Sequence, residues 1–380
     1  MHAEFLDSLA HVTAIEWNSL VGVNQPFLAH EFLRALETSA CVGPQTGWEP
    51  QHLIVRNPQQ ELIAALPLYR KTDSWGEFVF DFAWADAYRR AGLNYYPKLV
   101  AGVPFTPATG ARFLYRQGES RADAIGLMMA AIRQQADKLQ ASSLHVLFPD
   151  ESEAQELAKQ GLLLRKDCQF HWHNAGYQNF DDFLAQFTAA KRKKVRRERR
   201  RVREDGVEFR WLNGEQIDTA LWEQIMPLYA SSFWRRGRDP YLNQAFFQTV
   251  ARQMPGQLLV ILAEKDAEPI ATAICFRSND TLYGRYWGSS GRYHSLHFET
   301  CYYQGIDYCI REGLQRFEPG TQGEHKISRG FVPSPTWSAH WLSHPQFAAA
   351  VDDYLDRERG YIDEYMDAVA SHVPYRQSND

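Results

Sequence analysis

Between two glycines, residues 320–330 read GTQGEHKISRG and bring Glu324, His325, Lys326 and Arg329 into six positions. Such a set can supply a proton acceptor and a positive group for an oxyanion that develops during a reaction. Glu324 or His325 suits the first role. Lys326 and Arg329 suit the second, or they hold a phosphate or carboxylate of a substrate. The plainer reading is a solvated loop with ordinary surface charge. Glu299 is a further base candidate, with Glu318 its equal, although a carboxylate early in a helix is favourable for the dipole alone. Arg285 lies on an apolar strand, TLYGRYWGS, that points toward the same region.

Two Gly-containing loops precede helical patterns, where unpaired N–H groups and a partial positive charge favour phosphate. The first is PFTPATGAR (104–112), with Thr106, Thr109, Gly110 and Arg112. The second is GSSGRYHSLHF (288–298), with Gly291 and Arg292. Neither is a P-loop or a GxGxxG motif, and alone each reads as a turn before a helix. His171, His173 and Cys168 lie close together, and His294 and His297 are three apart, but no second ligand pair or HExxH accompanies them. No metal is expected. No GxSxG elbow or catalytic cysteine context supports hydrolase chemistry.

Residues 191–203, KRKKVRRERRRVR, hold ten basic residues and one acid. Taking them from the 41 basic and 46 acidic residues of the whole leaves 31 against 45, so an acidic body carries one concentrated positive element. Arg196, Arg197, Arg200 and Arg201 are the candidate anion or nucleic-acid contacts. The partner is tRNA or another nucleic acid, an anionic surface, or acids of the same chain. The absence of aromatics from the run favours backbone or internal contacts over base stacking.

The elements that would position these groups repeat. A hairpin (52–55, 61–69), a strand at 98–103, a Gly-rich loop, a helix from about Arg121 to Leu139 and the strand SLHVLF form one set. A helix near Asp218–Phe233, the hairpin LLVILAE and PIATAICF, the strand at 281–289, the Gly/Ser loop, a helix over His297–Glu312 stopped by Gly313 and a short strand form the other. ELIAALPLY (61–69) and EPIATAICF (268–276) align without gaps. The pattern predicts two copies of one α/β (α+β) fold. The expected domains are 1–175, a basic linker helix at 176–206, 207–345, and a C-terminal helix and frayed tail at 346–380. A hydrophobic content of 44% supplies the cores. Five scattered cysteines, no basic n-region before an apolar segment and no run of 18 apolar residues predict a cytoplasmic chain without a signal peptide or transmembrane span.

The order hairpin, third strand, Gly-containing loop, helix resembles the GNAT acyltransferase core. With the basic segment KRKKVRRERRRVREDGVEF (191–209), the helix and short strand HFETCYYQGIDYCIREGLQRFEPG (297–320) and GEHKISRGFVP (323–333), the chain is similar to the FemAB-like family of peptidoglycan biosynthesis or recognition. The resemblance implies tandem GNAT-like domains with mostly antiparallel mixed sheets flanked by helices. It also implies an acyltransferase, aminoacyl or N-acyl, acting on an amine of a cell-wall precursor or small molecule. Well-studied members move amino acids from aminoacyl-tRNA onto a peptidoglycan precursor. No tightly bound cofactor is expected, and acyl-CoA or aminoacyl-tRNA would be the co-substrate. The alternative is a non-catalytic binding protein on the same fold, its basic helix recruiting RNA or an anionic surface.

Overall fold

The computed structural model describes residues 1–321 and 323–376. The chain divides into two compact units. Unit 1 comprises Met1–Cys168 and Pro335–Glu364, and unit 2 comprises Gln169–Ser334 with the segment from Tyr365.

In unit 1, β1 (His2–Leu6), β2 (Trp48–Pro50), β3 (His52–Arg56), β4 (Leu62–Leu66), β5 (Leu68–Lys71), β6 (Lys98–Ala101), β7 (Leu114–Tyr115) and β8 (Ser143–Leu147) precede β9 (Leu163–His173). β1, β3, β4 and β7 pair antiparallel in one sheet, while β5 lies between β2 and β6, and β6 pairs parallel with β8. The predicted outgoing strand 61–69 is thus divided at Pro67. Proline has no N–H to give to a ladder, so the chain changes partners there. The helix Arg121–Leu139 covers the core with Ile125, Met128, Met129 and Ile132, all buried at helical spacing.

In unit 2, β10 (Val207–Asn213), β11 (Leu258–Lys265), β12 (Glu268–Arg277) and β13 (Thr281–Ser289) run antiparallel in sequence, and β13 pairs parallel with β14 (Arg316–Glu318). The C-terminal end of β9 closes this sheet, with His173 and Trp172 opposite Arg316 and Phe317. β15 (Val332–Leu342) does the same for unit 1, its residues Ser338–Leu342 running antiparallel to Ser143–Leu147. Strand order and senses therefore match: β1, β3, β4/β5, β6, β8, β15 against β10, β11, β12, β13, β14, β9. This is the predicted tandem GNAT-like architecture.

The division differs from the sequence-based boundaries, and unit 2 takes residues 169–175 and those from Tyr365 as well. The basic helix, Ala189–Glu204, belongs to unit 2 because Val195, Glu198 and Val202 are buried in it. Residues 335–364 return to unit 1 because β15 completes its sheet. The expected frayed tail is partly tied down. Tyr375 packs on Phe187 and donates its hydroxyl to the Gly330 carbonyl at 2.6 Å. Residues 377–380 lie outside the described ones.

Several elements escaped the sequence reading, β1, β2, β7 and β10 among them, and three more show why. The helix Phe82–Arg90 sits in a Tyr/Pro/Gly-rich stretch, with only Trp84 and Tyr88 to mark its buried face. The helix Gln244–Gln253 has its signal in the cap, Asn243 accepting from the Phe246 N–H at 3.0 Å. β15 carries Pro333 and Pro335, which argue against a strand, yet its ladder to β8 begins only at Ser338, where N–H groups are available.

Candidate active site

The helix predicted over His297–Glu312 is interrupted. Leu296–Phe298 leads into a π-helical turn, Glu299–Tyr303, before Gln304–Glu312 continues to the left-handed cap Gly313. Such turns rotate the side chains that follow them, and they recur at functional sites. Here Tyr302 reaches His325, hydroxyl to Nε2 at 2.8 Å, and Tyr303 donates its hydroxyl to Glu198.

The β13–β14 ladder holds only from Thr281–Arg316 to Tyr283–Glu318, while β13 runs on to Ser289. The two strands therefore part at Gly284. Gly284 is tightly placed, since a Cβ there would lie 3.2 Å from Pro319 Cα and from the Phe317 ring. Gly288, further along, lies against the Leu228 carbonyl, which an added Cβ would overlap at 1.6 Å. Glycine is thus required where the helix Thr219–Trp234 packs on β13.

Glu324, His325, Lys326 and Arg329 do not converge as surface ligands. Residues Glu324–Arg329 form a 3₁₀ helix, in which positions three apart share a face. Lys326 and Arg329 turn inward and are buried, and Glu324 and His325 face outward. Glu324 accepts from the Tyr365 hydroxyl at 3.0 Å. The Lys326 ammonium donates to the Gly320 carbonyl, beside the point where the strands part, and burial pulls its pKa down to about 7. Arg329 donates to both Glu198 oxygens at 2.9 and 3.0 Å and to the His325 carbonyl at 2.6 Å, and lies 3.4 Å over the Phe298 ring. Arg329 thus locks the basic helix in place and is not poised for an external anion. Burial also lowers His297, to about 4, and His325, with His325 aided by the Lys326 and Arg329 charges. The His297 ring lies 5.2 Å from Trp287 and 5.9 Å from His325.

A cleft of about 820 Å³ opens along the basic helix, lined among others by Phe180, Arg192, Arg196, Arg199, Arg203 and Glu299. Glu299 is buried, accepting from Arg199 Nε at 3.1 Å and from Gln304 Nε2 at 2.8 Å. Burial raises its pKa, and Arg199 opposes the rise. Arg199 also stacks 4.1 Å over Phe180. Arg196 pairs with Asp181 at 2.9 Å and Arg200 with Glu204 at 3.5 Å. Among the described residues, the side chains of Lys193, Arg197 and Arg203 make no ion pair or hydrogen bond. The four arginines singled out by sequence do not share a face. Arg196 and Arg200 border this cleft, Arg201 turns to the helix's other flank, and Arg197 borders both. Arg192, Arg199 and Arg203 went unnoticed, although counting three, four or seven positions from Arg196 finds them.

The remaining predicted ligands are scattered. Arg285 is half-buried with its guanidinium 5.5 Å from the Tyr286 ring, and burial lowers its pKa. Arg292 is exposed, and the Gly291 carbonyl accepts from Ser289 Oγ at 2.9 Å. In unit 1 the 104–112 loop does not open a helix. It leads into β7, and the helix starts only at Arg121. Arg112 is buried and spends its guanidinium on the carbonyls of Leu147, Gly110, Ala111 and Ala108 at 2.6–3.0 Å. Thr106 donates to Pro104 O at 3.0 Å, Thr109 is half-buried beside it, and a Cβ on Gly110 would meet Gln25 at 2.2 Å. That loop is occupied by its own Arg112 and, at Gly110, by Gln25. Among the described residues no group of three or more His, Cys, Asp or Glu could hold a metal, and no helix is long and apolar enough to cross a membrane.

The sequence matches the family described as FemAB-like, peptidoglycan biosynthesis/recognition, over residues 8–377. The chain belongs to the FemAB-like family. As a FemAB-like protein it is a transferase. Its fold is similar to that of FemX, with 12% identity and a TM-score of 0.55 over 93% of this chain and 100% of that one. It is also similar to the C-terminal domain of a protein designated a lysylphosphatidylglycerol synthetase from Agrobacterium fabrum, with 11% identity and a TM-score of 0.55 over 90% and 95%. L-PGS from Bacillus licheniformis is similar at 10% identity, with a TM-score of 0.51 over 84% and 95%. A search of the curated proteins found no match.

Proposed function

We propose that this FemAB-like protein transfers an aminoacyl or related acyl group from a phosphate-bearing donor, aminoacyl-tRNA or acyl-CoA, to an amine acceptor used in cell-wall or lipid synthesis. Unit 2 carries the chemistry. The observation that supports this reading most is Lys326, a buried amine with a pKa near 7, set where β13 and β14 part. A general base works best with a pKa near the working pH. As the acceptor nitrogen attacks the carbonyl carbon, its proton passes to the neutral Lys326 amine. The carbonyl pair moves onto oxygen and returns as the bond to the leaving oxygen or sulfur breaks. The leaving atom takes that proton from the Lys326 ammonium, which returns to the neutral amine. The cleft beside the basic helix supplies the cations for the donor's phosphates. Glu299 and Arg199 set its polar floor. The names of the structural neighbours, a FemX and lysylphosphatidylglycerol synthetases, favour the aminoacyl form.

The test is transfer of labelled amino acid or acyl group from aminoacyl-tRNA and from acyl-CoA, each offered with phosphorylated amine acceptors. Donor binding is expected to weaken linearly in log Kd against log salt. Replacing the cleft-lining Arg196 and Arg200 by Gln should flatten that line and leave the melting temperature in place. Absence of transfer from either donor, with no salt-dependent binding, refutes the reading.

A further inference from the structure

The basic helix has two cationic flanks, and only one faces the cleft. At about 3.6 residues per turn, the buried stripe Val195, Glu198 and Val202 divides the remaining positions. On the second flank lies a pocket of about 430 Å³, lined by Lys194, Arg197, Arg201, His294, His325 and Arg329 with two serines, Ser295 and Ser328. The Glu198 carboxylate in its wall is already shared between Arg329 and the Tyr303 hydroxyl. It therefore does not neutralise Lys194, Arg197 or Arg201. His294 is held by two contacts, Nε2 to Arg201 Nη1 at 3.1 Å and Nδ1 to Ser295 Oγ at 2.7 Å. Phe298 is the one apolar residue of the lining, and its ring is covered by Arg329. Such a lining offers nothing to an acyl chain and several charge-assisted donors to a small, doubly charged anion.

We propose that this pocket is a second anion subsite, which seats a phosphate or diphosphate group of the second substrate, so that the basic helix separates the two substrates. Anion binding stands on the pocket itself. Its assignment to the second substrate rests on the transferase reading above. An acceptor that carries phosphate, as the donor does, needs a cationic seat of its own, and one helix supplies both, at opposite flanks of a fixed spine.

Inorganic pyrophosphate and inorganic phosphate, titrated calorimetrically into the full chain, test the first part. Wild type should bind pyrophosphate in two classes of site. Lys194→Gln with Arg201→Gln should abolish one class, and Arg192→Gln with Arg203→Gln the other. These residues are exposed or half-buried, so both variants should melt as wild type does. Unchanged pyrophosphate binding in the Lys194/Arg201 variant, or loss of the same class in both variants, overturns the subsite. In steady-state transfer from aminoacyl-tRNA, the Lys194/Arg201 variant should raise KM for the acceptor more than fivefold, with kcat and the donor KM little changed. A rise confined to the donor KM overturns the assignment to the second substrate. If no transfer is found for wild type, the transferase reading fails, and the pyrophosphate titration still decides the subsite.

Discussion

Units 1 and 2 share a strand order but handle charge in opposite ways. In unit 1, Lys98 is fully buried and donates to Glu77 at 2.8 Å, to Asp81 and to Ser74 at 2.9 Å. Tyr95 joins Asp81 to His145, and His145 meets His340 through Nδ1 atoms 2.6 Å apart. Arg112 is likewise enclosed by four carbonyls. In unit 2, Lys326 is buried with a carbonyl in place of a carboxylate, and a row of arginines borders open clefts. One copy has closed its polar groups upon themselves, and the other holds them ready for something external. The same backbone thus serves as a scaffold in one place and a site in the other.

The largest break in this contrast should come from Lys98→Met. It leaves Glu77 and Asp81 buried without their cation, and one broken buried pair costs about 3–5 kcal/mol. The expected result is a strongly lowered urea midpoint, measured by circular dichroism. A near-wild-type midpoint would mean that the network is not a closed ion cluster.

Lys326→Met should do the reverse. No carboxylate is stranded, so stability should change by less than about 1 kcal/mol. Catalytic efficiency should fall more than tenfold, about 1.4 kcal/mol or more in the transition state. In wild type the efficiency should rise with pH through about 7, as Lys326 loses its proton, and the variant should lack that limb. A variant retaining the same limb would assign the base to another group.

The smallest effect is graded and concerns acid. Burial first, then the Lys98 charge, lowers His145 to about 3, from an ordinary 6.5. The unfolded chain therefore binds the proton first. His145's contribution is fully present above pH 6.5 and is lost as pH falls toward 3. Glu77, raised to about 7 by burial, acts in the opposite sense between pH 4.5 and 7, so the clearest loss lies below 4.5. His145→Asn should flatten the fall in urea midpoint across that acid range. An unchanged pH profile would show that the histidine pair does not sense acid.

The repeated hairpins were legible because alternating and continuous apolar runs with turns between them carry their own signal. Leu258–Glu264 and Pro269–Phe276 show it, and so does the match of 61–69 to 268–276. The basic helix was legible as a helix, but not as a part of unit 2. That depends on Glu198, the single acid in the run, finding Arg329 131 residues away. The 320–330 cluster was visible as a set of residue types. Its division into inward Lys326 and Arg329 and outward Glu324 and His325 depends on a three-residue period, which so short a segment does not announce. The π turn at Glu299 left no trace in the pattern, because one additional residue in a turn barely shifts helical spacing.

β15 has a consequence for how the chain is made. β8 is in place by residue 147, but its antiparallel neighbour comes from Ser338–Leu342. At ordinary rates of synthesis, about 5–20 residues per second, the wait is on the order of ten to forty seconds. Throughout that interval β8 presents one row of unpaired N–H and C=O groups to the surroundings. All of β10 to β14 emerges in the meantime. The first copy to leave the ribosome is therefore the last to be finished, and a chain stopped anywhere between the two copies lacks an intact half.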